Sequence, residues 1–207
     1  HTLRTEDILQ TIQQHEKSLE LVMMGGVNYY TGQLFDMKTI TAAAHQVGAL
    51  AGFDLAHAAG NVMLHLHDWD VDFATWCSYK YLNSSPGGVG GVFIHEKYAE
   101  KYDLPRFGGW WGHNEQERFQ MRKGFKPMYG AEGWQLSNSP VLLNAAHLAS
   151  LQLFEQATIE KLTAKSKQLT GFLLFILQEI QKKIENKVVE IITPLSADER
   201  GAQLSLF

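Results

Sequence analysis

The sequence has little cysteine, no long apolar run and no block of charges of one sign. Its single cysteine, Cys77, excludes an internal disulfide framework and is typical of a protein from a reducing compartment. The most apolar stretch, residues 169–180, is broken by polar residues and is shorter than the roughly 18 consecutive apolar residues that a membrane helix needs. Residues 1–7 lack the charged-then-apolar order of a signal peptide. We therefore expect a soluble, cytoplasmic protein that does not bind membranes.

The charge balance and the composition exclude two further classes of protein. Eighteen basic and 22 acidic residues give a net charge of −4, which is not the basic footprint of a nucleic-acid-binding protein. Hydrophobic residues make up 45% of the chain, which excludes an intrinsically disordered protein. At roughly 150 residues per domain, the 207 residues allow one large domain, or one domain and a fraction of a second.

The first half of the chain alternates helix-like and strand-like segments. This alternation predicts an α/β fold in which helices flank a mostly parallel sheet. The last strand follows a short glycine-rich segment without room for a crossover helix, so we expect it to run antiparallel to its neighbour. Thr5 and Asp36 are the expected N-cap residues of the two helices. The predicted helices cover residues 5–17 and 36–47, and the predicted strands cover residues 19–24, 49–54, 71–78 and 88–95.

The second half of the chain begins with residues 105–138, which are rich in glycine and aromatic residues and have weak periodicity. We expect an ordered loop there, and a loop of that length in a compact domain is usually functional. The segments that follow are predicted as helices over residues 140–157 and 159–185 and as strands over residues 187–193 and 203–207.

The order of these elements also predicts the domain organisation. We expect residues 1–150 to be part of a large domain, and residues 151–207 to hold a linker helix and the start of a small α+β domain. Because the alternation starts on a helix and ends on an unpaired strand, we expect the chain to be a fragment of a longer protein.

Two charged residues follow predicted strands and are expected at one edge of the sheet. Asp54 ends one strand and Lys80 follows the next, 26 residues further on. In open α/β sheets ligands bind at the carboxyl ends of the strands. A carboxylate and a lysine on that edge are what pyridoxal phosphate needs, since the lysine binds the aldehyde and the acid pairs with the pyridinium nitrogen. The plainer alternatives are a helix cap or turn at Asp54 and a surface lysine at Lys80.

Other polar and aromatic residues allow two interpretations each. His65 and His67 alternate as metal ligands do on a strand, but the segment reads better as an exposed connection, and we expect no metal. Trp110 and its neighbouring tryptophan either pack a loop onto the core or line a pocket for an aromatic ligand. Ser137 and Asn138 either cap the following helix or present amides to an anion such as phosphate.

Taken together, these segments resemble the kynureninases, pyridoxal-phosphate enzymes with the aspartate-aminotransferase fold (fold type I). The most specific motifs are Asp-Leu-Ala-His at residues 54–57 and Ser-Tyr-Lys-Tyr-Leu-Asn at residues 78–83, in this order. The resemblance implies a fold in which residues 1–150 belong to the cofactor-binding large domain. It covers nearly the whole chain, and its matching segments are residues 30–33, 53–61, 66–69, 76–83, 93–97, 109–113 and 136–138.

The resemblance also implies roles for individual residues around the cofactor. Lys80 is implied to form the Schiff base and to move the substrate α-proton. Asp54 is implied to pair with the pyridinium nitrogen, and His57 to lie against the cofactor. Tyr79 is implied to bind the phosphate and to assist proton transfer.

Four further residues are implied to complete the cofactor and substrate sites. Trp110 and Asn138 are implied to reach the phosphate region of the cofactor, partly across the interface of a homodimer. His113 and Ser137, together with Asn138, are implied to border the aryl group of a small aromatic amino acid.

The activity implied is hydrolytic Cβ–Cγ cleavage of kynurenine or 3-hydroxykynurenine. The products are anthranilate or 3-hydroxyanthranilate and alanine, in tryptophan catabolism and NAD biosynthesis. The family's N-terminal phosphate-binding segment and the C-terminal arginine that binds the substrate carboxylate are missing, and Arg200 lies in the wrong context for that arginine. We therefore expect the fragment alone to be inactive.

Two other functions stay open. One is another fold-type-I enzyme, desulfurase-like or aminotransferase-like, although Cys77 is badly placed for the mobile nucleophile of a desulfurase. The other is a non-catalytic binding module, against which the presence of both Lys80 and Asp54 argues.

Overall fold

The computed structural model describes residues 1–184 and 189–207, and a four-stranded sheet lies at its centre. The strands are β1 (Leu21–Gly25), β2 (Leu50–Asp54), β3 (Phe73–Cys77) and β4 (Gly90–Ile94), in the order β1-β2-β3-β4. Neighbours β1, β2 and β3 pair in parallel, and β4 pairs antiparallel to β3. The helices are α1 (Thr5–Gln14), α2 (Met37–Gln46), α3 (Val141–Ala157) and α4 (Ile159–Lys183), with 3-10 turns at Glu96–Tyr98 and Gly130–Trp134.

Local sequence explains why α2 and β2 form the centre of the core. The Asp36 side chain accepts a hydrogen bond from the Thr39 amide at 3.0 Å, which satisfies one of the free donors at the start of α2. Ile40 then lies on the helix face that packs on the sheet and is fully buried. In β2, Phe53 is fully buried as well, as expected for a central parallel strand covered on its faces.

Two glycines face aromatic rings across the sheet. Gly52 of β2 pairs with Phe73 of β3, and a Cβ atom on Gly52 would lie 2.3 Å from that ring. Gly91 of β4 pairs with Trp76 of β3, where a Cβ atom would lie 2.2 Å from the indole. Each ring therefore occupies the space that a side chain on the paired residue would need, and the two pairs fix β3 against both neighbours.

Most of the predicted elements are confirmed, including the mostly parallel sheet and the antiparallel strand over residues 88–95. The prediction that Thr5 caps α1 is wrong, because Thr5 is the first helical residue and Arg4 occupies the cap position without a capping side-chain bond. The Arg4 guanidinium instead pairs with Asp7 in the first turn, with Nε 2.9 Å from Oδ2. That pair places a carboxylate where it favours the helix start.

The end of the chain folds back on the sheet domain. Ile191 and Leu206 form an antiparallel bridge, and backbone hydrogen bonds join Glu190 to Phe207 and Ile192 to Ser205 on either side of it. The strands predicted over residues 187–193 and 203–207 therefore pair over this short stretch. Residue 185 of the helix predicted over 159–185 and residues 187 and 188 lie outside the described residues. The Ala202 amide donates to Asn61 Oδ1 at 2.9 Å. The predicted domain boundary after residue 150 falls inside α3, and the division stays a prediction.

Helices α3 and α4 expose many apolar side chains. In α4, Leu169, Phe172 and Phe175 are each more than half exposed. No helix within residues 1–184 and 189–207 is long and apolar enough to cross a membrane.

Candidate active site

The site lies at the edge of the sheet where the parallel strands end. Asp54 is the last residue of β2 and pairs with Thr75 of β3, and Lys80 follows three residues after β3 ends at Cys77. The expectation that the carboxylate and the lysine emerge at one edge is thereby confirmed. This is the edge where α/β sheets bind ligands.

Lys80 contacts His57 directly. The Lys80 Nζ lies 2.9 Å from the His57 Nε2. A charged ammonium group can only donate, so Nε2 accepts and the imidazole proton is assigned to Nδ1. Within the described residues Nδ1 is buried without a hydrogen-bond partner. A buried donor without a partner is costly, so this atom marks a place where a bound group would fit.

The surroundings of His57 keep its imidazole neutral. Burial has the largest effect and lowers the pKa of His57 below its ordinary value, and the charge of Lys80 lowers it further. The Asp54 carboxylate opposes both effects by favouring the imidazolium. Tyr29 and Tyr81 flank the imidazole, with ring centroids 6.3 and 6.2 Å away. Sequence analysis singled out neither tyrosine, although Tyr81 lies inside a quoted motif.

Asp54 both shapes the turn after β2 and presents charge at the edge. Its Oδ1 accepts the Ala56 amide at 2.8 Å, which is the local bond expected of an aspartate in a turn. The residue is nevertheless exposed, so its carboxylate faces outward. The turn-forming and ligand-facing interpretations are therefore compatible.

Tyr79 stands next to Lys80 and is half exposed. A hydrogen bond with the Cys77 side chain raises the pKa of the Tyr79 hydroxyl above its ordinary value. Tyr79 is therefore a neutral proton donor across the physiological pH range. Cys77 is partly buried at the end of β3, which agrees with an immobile thiol.

The structure does not bring Trp110 and His113 to Lys80. Trp110 Nε1 donates to the Arg118 carbonyl at 3.2 Å, and the indole lies edge-on to Phe119. His113 Nδ1 accepts the Lys126 amide at 3.2 Å. These contacts are within residues 105–138, which form the expected long loop with one 3-10 turn.

Ser137 and Asn138 are likewise separate from Lys80. Ser137 donates to Asn138 Oδ1 at 3.2 Å, and both side chains are exposed just before α3. Neither caps α3, since its N-cap residue is Pro140 without a capping side-chain bond. No hydrogen bond, ion pair or ring contact within residues 1–184 and 189–207 joins Trp110, His113 or these two residues to Lys80, and their roles stay predictions.

Of the two histidines in the connection before β3, His65 lies edge-on to Trp69, with ring centroids 5.6 Å apart, and His67 forms ion pairs. His67 is exposed and bonds to Glu96 at 3.1 Å, which together with Asp68 raises the pKa of His67. Among the described residues no three or more His, Cys, Asp or Glu side chains group closely enough to hold a metal ion. Arg200 is buried, and its guanidinium donates to the Pro194 carbonyl at 3.2 Å, a structural role within its own segment.

A second polar cluster, which sequence analysis missed, lies at the opposite end of the strands. Asp72 is buried directly before β3 and accepts bonds from the Ala51 amide at 2.6 Å, Tyr98 at 2.6 Å and His45 at 2.8 Å. Lys97 Nζ lies 2.7 Å from Asp72 Oδ1, the oxygen that also accepts from Tyr98. Burial alone would raise the pKa of Asp72, but the bonds from these four groups outweigh it and lower the pKa to about 2.

Comparisons with known proteins agree with this geometry. The model of the family "Aminotransferase class-V" matches residues 1–194. The kynureninase of Flavobacterium psychrophilum is 56% identical over the whole chain, which spans 48% of that protein. The kynureninases of Myxococcus xanthus and Rattus norvegicus are 58% and 51% identical over 99% of the chain, which covers 47% and 45% of their lengths. The chain thus spans about half the length of the curated relatives it matches.

Solved structures show the same fold at low sequence identity. A cysteine desulfurase from Thermococcus onnurineus aligns with the whole chain at a TM-score of 0.73 and 19% identity, over 47% of its own length. A C-DES variant with glycine covalently linked to its PLP cofactor aligns over 92% of the chain, at a TM-score of 0.72 and 21% identity, over 49% of its own length. Because the family model covers residues 1–194, which is most of the chain, the chain belongs to the class-V aminotransferase family.

Proposed function

We propose that the protein containing this chain uses pyridoxal phosphate to cleave kynurenine or 3-hydroxykynurenine hydrolytically between Cβ and Cγ. The products are anthranilate or 3-hydroxyanthranilate and alanine, as in tryptophan catabolism. The observation that carries the proposal is the contact of Lys80 Nζ with His57 Nε2 at 2.9 Å, on the sheet edge that also presents Asp54. The identity of 51–58% to the kynureninases named above favours this reaction over others of the family.

The residues present fit the cofactor. Lys80 carries a primary amine whose hydrogen bond the neutral imidazole of His57 accepts. Asp54 is an exposed carboxylate on the same edge, suited to a pyridinium nitrogen. The unpartnered Nδ1 of His57 offers a buried donor to a polar atom of the bound group. When bound, the cofactor would supply an electron sink for the carbanion formed on the substrate.

The side chains of this chain would hold and move the protons. We assign to Lys80 Nζ, which contacts His57, the transfer of the substrate α-proton and its return to the alanine product. Tyr79 keeps its hydroxyl proton because its pKa is raised, so it is suited to donate to a phosphate oxygen or to the substrate Cβ after the Cβ–Cγ bond breaks. The Asp54 carboxylate is exposed on the same edge and would pair with a protonated ring nitrogen.

The remaining predicted residues complete the proposal. We assign the phosphate end of the cofactor to Trp110 and Asn138, from one copy to the other in a homodimer. The aryl group of the substrate is assigned to His113, Ser137 and Asn138. Because no hydrogen bond, ion pair or ring contact among the described residues joins these four to Lys80, a second copy offers a way to bring them to it. We also propose that the protein acts in the cytoplasm.

The first test is borohydride reduction of the intact protein with pyridoxal phosphate, followed by peptide mass mapping. We expect a phosphopyridoxyl group on Lys80, its loss in Lys80→Met, and its retention in Lys101→Met, a matched change at an exposed lysine. Labels scattered over several lysines would contradict the proposal.

A substrate panel then separates the reactions. We expect alanine and an anthranilate from kynurenines, and no comparable turnover of cysteine or of alanine with glyoxylate. Release of sulfur from cysteine, or transamination, would instead support a desulfurase-like or aminotransferase-like enzyme. A protein without label and without turnover would be a binding module.

A further inference from the structure

Lys80 is carried by the connection between β3 and β4, residues 78–89, and not by a helix or strand. A lysine side chain has four rotatable bonds, so the position of its backbone decides which atoms Nζ can reach. We infer that a pair of buried hydroxyls, those of Ser78 and Ser84, positions Lys80 for the reaction. This inference rests on the proposed function, in which Lys80 is the reacting amine.

The two serines hold the two ends of the connection together, and we call the hydrogen-bonded residues Ser78, Ser84 and Val89 its neck. Both are fully buried, and their Oγ atoms are 2.5 Å apart. Ser78 donates its hydroxyl proton to the Val89 carbonyl, so Ser84 is the donor in the bond between the two hydroxyls. The Ser84 amide donates to the Ser78 carbonyl at 3.1 Å. Ser84, Ser78 and Val89 thus form one chain of hydrogen bonds across the base of the connection.

Packing leaves this neck little freedom. A Cβ atom on Gly88 would lie 2.0 Å from Ser84 Oγ, so only glycine lets the returning chain pass. Ser85 has a φ of +82°, an uncommon conformation for a residue with a side chain, which the neighbouring bonds must hold in place. From α3, Ser150 donates to the Leu82 carbonyl at 2.5 Å and fixes the far side of the connection.

These bonds fix the position of the Lys80 backbone. Lys80 is two residues from Ser78, and its carbonyl accepts the Asn83 amide at 3.2 Å in a turn directly before Ser84. Without the hydroxyls the neck could widen, and the 2.9 Å contact between Lys80 Nζ and His57 Nε2 would lengthen. Because misplacement of a reacting group by about 1 Å costs up to about 100-fold in rate, a small shift is measurable.

A purely structural role for the serines predicts a different result, and Thr41 provides the matched control. Thr41 is fully buried, and its hydroxyl donates to the Met37 carbonyl at 2.7 Å within α2, outside the connection. Thr41→Val therefore removes a buried hydroxyl bond without touching residues 78–89. A structural role predicts that Ser78→Ala and Ser84→Ala behave as Thr41→Val does.

The test compares these three variants in the intact holoenzyme. For Ser78→Ala and Ser84→Ala we expect kcat to fall about 10-fold with KM changed less than about 2-fold. We also expect a shifted pH midpoint in the absorption band of the lysine-bound cofactor and slower borohydride trapping at Lys80. In the cofactor-free protein we expect faster hydrogen exchange over residues 78–84. Thr41→Val should lose stability and keep all of these properties.

The outcomes separate the inference from the proposed function. If both serine variants match Thr41→Val in absorption, trapping and exchange, the inference is wrong. If Ser78→Ala does not fold, Ser84→Ala and Ser150→Ala decide by the same measurements. If wild-type Lys80 is never labelled, the proposed function fails, while hydrogen exchange still tests whether the hydroxyls hold the connection.

Discussion

His57 is the residue whose imidazole is affected by both charged groups of the site. Burial and the ammonium of Lys80 disfavour its protonated form, and Asp54 favours it. The effect of each neighbouring charge on the pKa of His57 therefore has a known direction, and substitutions can test these effects one at a time.

We predict that Lys80→Met raises the pKa of His57 and that Asp54→Asn lowers it. Removal of a nearby positive charge makes the imidazolium less unfavourable, and removal of a nearby carboxylate makes it more so. Burial remains in Lys80→Met, so the pKa should stay below its ordinary value of 6.5. The measurement is an NMR titration of the histidine resonances in the cofactor-free protein.

The control for that titration is Lys17→Met, an exposed lysine outside the site. Lys17→Met should leave the pKa of His57 unchanged. A wild-type titration curve in Lys80→Met would show that the ammonium does not act on the imidazole.

At the scale of the elements, glycines have opposite roles in the sheet and in the helices. Gly52 in β2 makes room for the Phe73 ring of β3. Gly171 in α4 has no atom within 4 Å of the place where a Cβ would stand. In a helix interior glycine is less favourable than alanine because it costs more backbone entropy.

Gly52→Ala and Gly171→Ala should therefore change stability in opposite directions. We expect Gly52→Ala to destabilise the protein by about 1–3 kcal/mol, because a Cβ 2.3 Å from the Phe73 ring forces the ring or the strand to move. Gly171→Ala should stabilise it by about 0.5–1 kcal/mol. Urea unfolding of both variants checks the signs, and an unchanged midpoint in Gly52→Ala would contradict the packing argument.

Patterns within one element, or at strand ends, were readable from the sequence. The cap and the apolar face of the helix predicted over residues 36–47 depend only on residues within that segment. Asp54 and Lys80 lie at one edge because neighbouring parallel strands end together. Thr5 was misassigned because the first turn of α1 is stabilised by the Arg4–Asp7 pair instead of a hydroxyl cap.

Contacts between distant segments were not readable. Asp72 is stabilised by donors 21 to 27 residues away, so nothing near it in the chain marks it as a buried anion. The bond from Ser150 to Leu82 joins residues 68 positions apart. The sequence pattern places residues on elements, but it does not show which distant groups tertiary packing brings together.

At the scale of the whole molecule, charge is divided between the two ends of the sheet. Lys80, His57 and Asp54 lie where the parallel strands end, and Asp72 lies where β3 begins. The pKa of Asp72, about 2, is lower than the 3.8 of an ordinary aspartate, so its ionised form stabilises the fold. That contribution is fully present above about pH 4 and is lost as the pH falls towards 2.

Asp72→Asn should reveal this contribution as a pH-dependent loss. The free energy of unfolding of the wild type should exceed that of the variant near pH 6, and the difference should shrink by about 2 kcal/mol towards pH 2. Urea unfolding at several pH values measures it, with Glu100→Gln as an exposed control. A difference that is the same at pH 6 and pH 2 would contradict the assignment.

The separation of the two polar clusters also has an evolutionary consequence. Substitutions around Asp72 change the stability of the fold at low pH. Lys80, His57 and Asp54 lie at the far end of the strands, and their contacts are unchanged by such substitutions. Evolution can therefore alter the stability of the fold around Asp72 without altering the groups that the proposed reaction uses. The His57 titration in Asp72→Asn, which should match that of the wild type, measures how independent the two ends are.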